Sequence, residues 1–147
     1  MNVKETVKDY KDYLIEMRRW FHQHPEVSMK EYETSKKIKE ELDKMGVEWV
    51  PCGMETGVLA TVKGAKPGKT VLLRADMDAL PVKENTGLPF ASLNEGVSHA
   101  CGHDCHISTL LTAAKVLSEH KDELCGTVKF AFQPAEEVGL GAKSMIE

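Results

Sequence analysis

Apolar positions recur along this chain with two different periods. Val3, Val7, Tyr10, Leu14, Met17 and Phe21 are spaced four and three apart, the stripe of an amphipathic helix over roughly Val3 to His22. His24-Pro25 closes it, because a proline pushes the residue before it out of the helical region. Ser28-Met29-Lys30-Glu31 reads as a capping box for a second helix. Ile38, Leu42 and Met45 mark its buried face, and Gly46 is placed to end it.

Beyond Gly46 the period shortens. Val47–Val50, Gly57–Val62 and Thr70–Ala75 are short β-prone runs separated by Pro, Gly and Lys, which predicts three strands. The segment Lys63–Lys69 between the last two suggests a hairpin. Val71-Leu72-Leu73 is apolar without alternation, as in a strand buried on both faces. A polar loop then leads to a helix marked by Ile107, Leu110, Leu111, Ala114 and Leu117, which starts at a histidine-rich cluster. Thr127–Gln133 is the next predicted strand, stopped by Pro134, and Gly139 and Gly141 open a last helix. Helices alternating with strands predict an α/β class with a mostly central sheet flanked by helices.

The composition adds bounds. At 147 residues, 41% hydrophobic and 29% charged, the chain is long enough for one domain with a real core. A net charge of -4 argues against a nucleic-acid partner, which needs a basic face. No run has the length of a membrane helix, so no membrane role is expected. The first residues show no apolar leader, and a cytoplasmic location is expected. Disulfides are then unfavoured, and Cys52 and Cys125 read as buried structural thiols.

Three polar groups stand at predicted strand ends, where sites on open α/β sheets are built. They are Asp76-Met77-Asp78, the cluster His99-Ala-Cys-Gly-His-Asp-Cys-His106, and Glu136-Glu137. Thiolate and imidazole at Cys101 and His103 suit a zinc-like ion. A redox pair of Cys101 with Cys105 is the competing reading, but its spacing differs from Cys-x-x-Cys. A structural zinc knuckle would need a second Cys/His pair. Glu136-Glu137 could be a solvated acidic turn; as a site, one carboxylate would bind metal while the other reached its water. Of Asp76 and Asp78, one could face the site and support a histidine from behind and the other point away; taken singly, either reads first as a charged strand exit. His22 is read as an exposed or half-buried helix residue and His24 as a pre-proline turn residue, neither with a ligand role, His99 as a candidate pocket residue, His106 as a first-turn helix residue, and His120 as surface.

Four blocks resemble a known family: Arg18-Arg-Trp-Phe-His-Gln-His-Pro-Glu26, Leu73-Arg-Ala-Asp-Met-Asp-Ala-Leu-Pro81, His99-Ala-Cys-Gly-His-Asp104 and Phe132-Gln-Pro-Ala-Glu-Glu137. They look like the aminoacylase/hippurate hydrolase family of dinuclear-metal amidohydrolases, which includes auxin-conjugate hydrolases and N-acetyl-diaminopimelate deacetylases. The resemblance implies a metallopeptidase-like catalytic domain of which residues 1–147 are the truncated N-terminal part, with a lid or dimerisation domain and the C-terminal part absent. It implies Cys101, His103 and Glu137 as metal ligands, Glu136 as general base and Asp78 as the supporting catalytic aspartate. Asp76 falls where relatives carry a ligating histidine, and Cys105 where the family more often has glycine. The implied cofactors are two divalent ions (Zn, Mn, Co or Ni), the substrate a small N-acyl amino acid, and the assembly a homodimer through the lid. Counting ligands leaves the set short within this chain, so it is expected to be inactive alone. A non-catalytic metal-binding domain and a structural domain with a decayed site remain as alternatives.

Overall fold

The computed structural model describes residues 2–147. Helical residues open the chain as α1 (Val3–Thr6), a 3-10 turn (Val7–Tyr10) and α2 (Lys11–Gln23). The predicted single helix is therefore interrupted. Met17 and Phe21 are buried, whereas Val3 and Val7 are exposed, so only the later turns of the stripe are fixed by the core. α2 ends at His24 as the following proline requires.

α3 (Tyr32–Lys44) begins three residues later than a capping box at Ser28 would place it. Ser28 and Glu31 spend their side chains elsewhere, and the helix is capped from a distance. Glu26 accepts from the backbone N–H groups of Glu33 and Thr34 and from the Thr34 hydroxyl, which satisfies amides the first helical turn leaves open. At the other end Gly46 adopts φ +66°, and the Val47 amide returns to the Leu42 carbonyl, a left-handed C-terminal stop.

The strands β1 (Glu48–Pro51), β2 (Val58–Lys63), β3 (Lys66–Asp76) and β4 (Cys125–Gln133) form one sheet in the order β1-β2-β4-β3. The hairpin expected between β2 and β3 is absent. β4 inserts between them, antiparallel to β2 and parallel to β3. β3 thus lies at the sheet edge, and Val71 and Leu72 are 52% and 59% exposed, not buried on both faces. An apolar run identifies a strand but does not say which neighbours it will have.

The segment β3, α4 (His103–Glu119) and β4 makes a parallel crossover. The core lies between the sheet and the helices: Phe21 of α2, Ile38 and Leu42 of α3, and Ile107, Leu111 and Ala114 of α4 meet Val58, Ala60, Phe130 and Phe132. Because β3 and β4 run the same way and Asp76 pairs with Gln133, their carboxyl ends deliver residues 76–78 and 134–137 side by side. α4 starts against that same edge, and α5 (Gly141–Ile146) follows it. Among the described residues no helix is long and apolar enough to cross a membrane.

Candidate metal centre

His103 is the first residue of α4, which Gly102 enters with φ +86°. Its ring is buried, and Nδ1 donates to the carbonyl oxygen of Asp78 at 2.8 Å. The Asp78 carboxylate lies behind the same nitrogen at 3.4 Å. With Nδ1 engaged, Nε2 faces the other way, 3.8 Å from a carboxylate oxygen of Glu136 and 3.8 Å from one of Glu137. Ligand atoms of Cys101, His103 and Glu137 lie within 4.8 Å of one another.

This donor set fits a divalent ion. Sulfur, imidazole nitrogen and carboxylate oxygen are the ligand types zinc-like ions take. Glu137 Oε1 is buried without a hydrogen-bond partner, and an unsatisfied buried acceptor calls for a cation or a water. The backing of His103 by Asp78 is the outer arrangement that fixes a ligand's tautomer.

Asp78 is fully buried. Burial alone would push its carboxyl up, but hydrogen bonds from His103, Ser28 and the backbone around Glu136-Glu137 prevail and hold it at about 2. Ser28 Oγ donates to Oδ2 at 2.7 Å and the Glu137 amide to the same oxygen at 3.0 Å. The bond to Asp78 in turn holds the proton on His103, pushed up to about 9. The Cys101 thiol is raised chiefly by the neighbouring Glu137 carboxylate. Without an ion, the site therefore keeps protons on the two groups that would have to give them up.

Asp76 does not point away. It joins His103 and His106 in a second group whose ligand atoms lie within 4.8 Å of one another, with Oδ2 3.7 Å from His106 Nδ1. The two groups share His103, and its one remaining nitrogen serves one ion. Glu136 is 38% and Glu137 22% exposed at the side chain, so the adjacent carboxylates differ in access to solvent.

Several residues lie where sequence reasoning did not put them. His22 is buried, with Nδ1 2.7 Å from Asp104 Oδ2 and Nε2 3.0 Å from Glu84 Oε1. Arg18 Nε also meets Asp104 Oδ2, at 3.0 Å. The cue was present, since Arg18 and His22 are four residues apart on α2 and so share a face. His24 stacks on Trp20. His99 is buried, both ring nitrogens lack partners, and burial lowers it to about 4. His106 is exposed and His120 half-buried. The cysteines are free; Cys125 is exposed and Cys52 half-buried, so neither is a core thiol.

Residues 72–147 match Peptidase family M20/M25/M40, just over half of the chain, and the chain belongs to that family. It is 52% identical over 148 residues to thermostable carboxypeptidase 1 of Saccharolobus solfataricus, an alignment covering 99% of this chain and 38% of that protein. It is 49% identical over 134 residues to N-acetyl-L-cysteine deacetylase of Bacillus subtilis, covering 91% of this chain and 32% of that one. Among solved structures, a putative aminohydrolase from methicillin-resistant Staphylococcus aureus superposes with a TM-score of 0.94 at 49% identity, over 99% of this chain and 38% of that one. A Bacillus subtilis protein described as a dinuclear metal binding peptidase from the M20 family gives 0.90 at 46% identity, over 95% and 39% of the two chains. The chain thus spans less than half the length of these relatives.

Proposed function

We propose that this chain is the N-terminal part of the catalytic domain of a metal-dependent amidohydrolase that cleaves small N-acyl amino acids, hippurate or N-acetyl amino acids among them. The carrying observation is the convergence of Cys101, His103 and Glu137 within 4.8 Å, with His103 oriented by Asp78. The relatives' names support the bond type. A deacetylase of an N-acyl amino acid and a carboxypeptidase both break an amide whose nitrogen belongs to an amino acid.

In this reading Cys101, His103 and Glu137 hold metal, and the remaining ligands come from polypeptide beyond these residues. Two divalent ions of the Zn, Mn, Co or Ni type are assigned, to which Cys101, His103 and Glu137 would contribute ligand atoms. When bound, such ions polarise the amide carbonyl and make water acidic near neutral pH. Glu136 is the general base: its carboxylate takes the proton from the attacking water and delivers it to the departing amine nitrogen. Its place beside Glu137, on the more exposed side, suits a group that must meet both water and substrate. Asp78 is the positioning carboxylate behind His103. A lid or dimerisation domain outside residues 1–147 would close the pocket and pair two copies. Four free thiols, three of them exposed, support a reducing, cytoplasmic compartment.

The test is a continuous polypeptide of the relatives' length loaded with Zn, Mn, Co or Ni. Hydrolysis of N-acetyl or N-benzoyl amino acids that is lost on chelation supports the reading. Stoichiometric metal without amidase activity would favour a non-catalytic metal-binding domain, and no metal at all a structural one.

A further inference from the structure

Among the described residues only two other than glycine have positive φ: Met29 at +68° and Ala135 at +50°. Both sit in the left-handed region that a Cβ disfavours. They are more than a hundred residues apart, yet their amides converge on one atom. Met29 N–H and Ala135 N–H each donate to Oε1 of Glu31, both at 2.9 Å. The Thr56 hydroxyl donates to Oε2 at 3.0 Å, and Glu31 is 0% exposed.

We propose that Glu31 is a positioning residue for the Glu136-Glu137 pair, acting through the backbone of Ala135. The turn after β4 is held from two sides. Glu31 fixes the amide of Ala135, and Asp78 fixes the amide of Glu137, so Glu136 is suspended between two anchored peptide groups. The far side is closed as well, since the amides of Leu140 and Gly141 return to the Ala135 carbonyl. A Cβ at Gly141 would lie 1.6 Å from the Pro134 carbonyl oxygen, so that closure requires glycine there. Glu31 and Ser28 both belong to the loop before α3, and each engages one of the two anchors: Glu31 holds Ala135 directly, and Ser28 bonds to the Asp78 carboxylate. That loop thereby sets where both glutamate carboxylates stand relative to His103.

A buried carboxylate is costly unless its oxygens are filled. A charged acceptor also grips amide donors about twice as strongly as a neutral one. Holding two left-handed residues at once needs that stronger grip, which explains why an acid stands where a neutral side chain would be simpler to bury.

The inference rests on the metal reading above for its consequence but not for its geometry, and the experiment separates the two. Amide hydrogen exchange is measured on the metal-free protein, and Co2+ binding is followed through the thiolate absorption of Cys101. Glu31→Leu, which fills the space without an acceptor, is expected to speed exchange at both Ala135 and Glu137 and to weaken Co2+ binding about 30-fold. Glu31→Gln keeps a weaker acceptor and is expected to weaken it about fivefold. Adding Ala135→Gly, which removes the strain at that position, is expected to restore most of the affinity in the Glu31→Leu background and none in a Glu137→Ala background. Faster exchange at Ala135 with Glu137 as protected as before overturns the proposal, as does unchanged Co2+ affinity in Glu31→Gln. If Glu31→Leu does not fold, the Gln variant carries the test alone. If the unsubstituted protein binds no Co2+, the metal reading fails, and the exchange at Glu137 still decides the role of Glu31.

Discussion

Asp78 and Glu137 are joined directly, the amide of one glutamate of the pair donating to a fully buried carboxylate at 3.0 Å. Because the same aspartate accepts from His103 through its own carbonyl, one residue links two of the three candidate ligands. Replacing Asp78 by Ala keeps the carbonyl that His103 uses but removes the carboxylate that anchors the Glu137 amide and lies 3.4 Å behind His103, and is expected to lower metal affinity about 10- to 100-fold, the usual effect of losing such support. Metal titration of the variant, with circular dichroism to confirm folding, checks this. An affinity within twofold of the original would show that the ligands need no help from behind.

The proton held on His103 gives a pH dependence. Its folded value lies at about 9 against an ordinary 6.5, so its contribution to stability is complete below about 6.5 and fades as pH rises toward about 9. Metal uptake runs the other way, because Nε2 must be free of its proton and the Cys101 thiol, also raised, must ionise. Affinity is expected to climb steadily between pH 6.5 and 9 with proton release on binding. Calorimetry in buffers of different ionisation enthalpy measures that release. A flat affinity across the window contradicts this.

Asp78 predicts an opposite limb in acid. A carboxyl held at about 2 rather than 3.8 stabilises the fold above about pH 4, and that contribution is lost as pH falls toward 2. The size is about 2 kcal/mol. Denaturant unfolding of the metal-free protein from pH 5 to 2 should show that loss, and Asp78→Asn should flatten this part of the curve.

Glu136→Gln separates binding from chemistry. Glutamine keeps the shape of the side chain and removes its basicity. In the continuous polypeptide, kcat is expected to fall by about 10²–10⁴, the usual worth of a general base, with metal content unchanged. Loss of metal together with activity would move Glu136 into the ligand set.

Asp104→Ala should damage the fold itself, although the residue stands next to His103. It removes the partner shared by His22 and Arg18 and leaves buried polar groups unsatisfied, at a cost of about 3–5 kcal/mol. Thermal or urea unfolding reads this directly, and a cost under 1 kcal/mol would mean the cluster relaxes around the gap.

Local signals in the sequence located what is local in the structure. Gly46 ends α3, His103 begins α4 and Pro134 ends β4 as their neighbours dictate. The convergence of three segments on one sheet edge was also legible, because strand ends are where α/β sites are built. Long-range partnerships were not. Ser28 and Glu31 form a plausible capping box by spacing, but Ser28 bonds to Asp78 and Glu31 to Ala135, and no pattern within four residues carries that information. The hairpin between β2 and β3 failed for the same reason: a turn sequence cannot announce that β4 will later take the place between them. His22 looked like an ordinary helix-end residue because Asp104 and Glu84 are distant in the chain.

The outer side of β3 has a bearing on assembly. Eleven residues of strand leave a row of amide and carbonyl groups with no neighbouring strand among the described residues, next to the exposed Val71 and Leu72. Such an edge is a template for another extended chain. Pro67 blunts only its first residues. An extended segment pairing there, whether from polypeptide outside residues 1–147 or from another copy, is expected to cover Val71 and Leu72. A lysine in place of Leu72 would disfavour such pairing without touching the end of the sheet that carries Asp76 and Asp78.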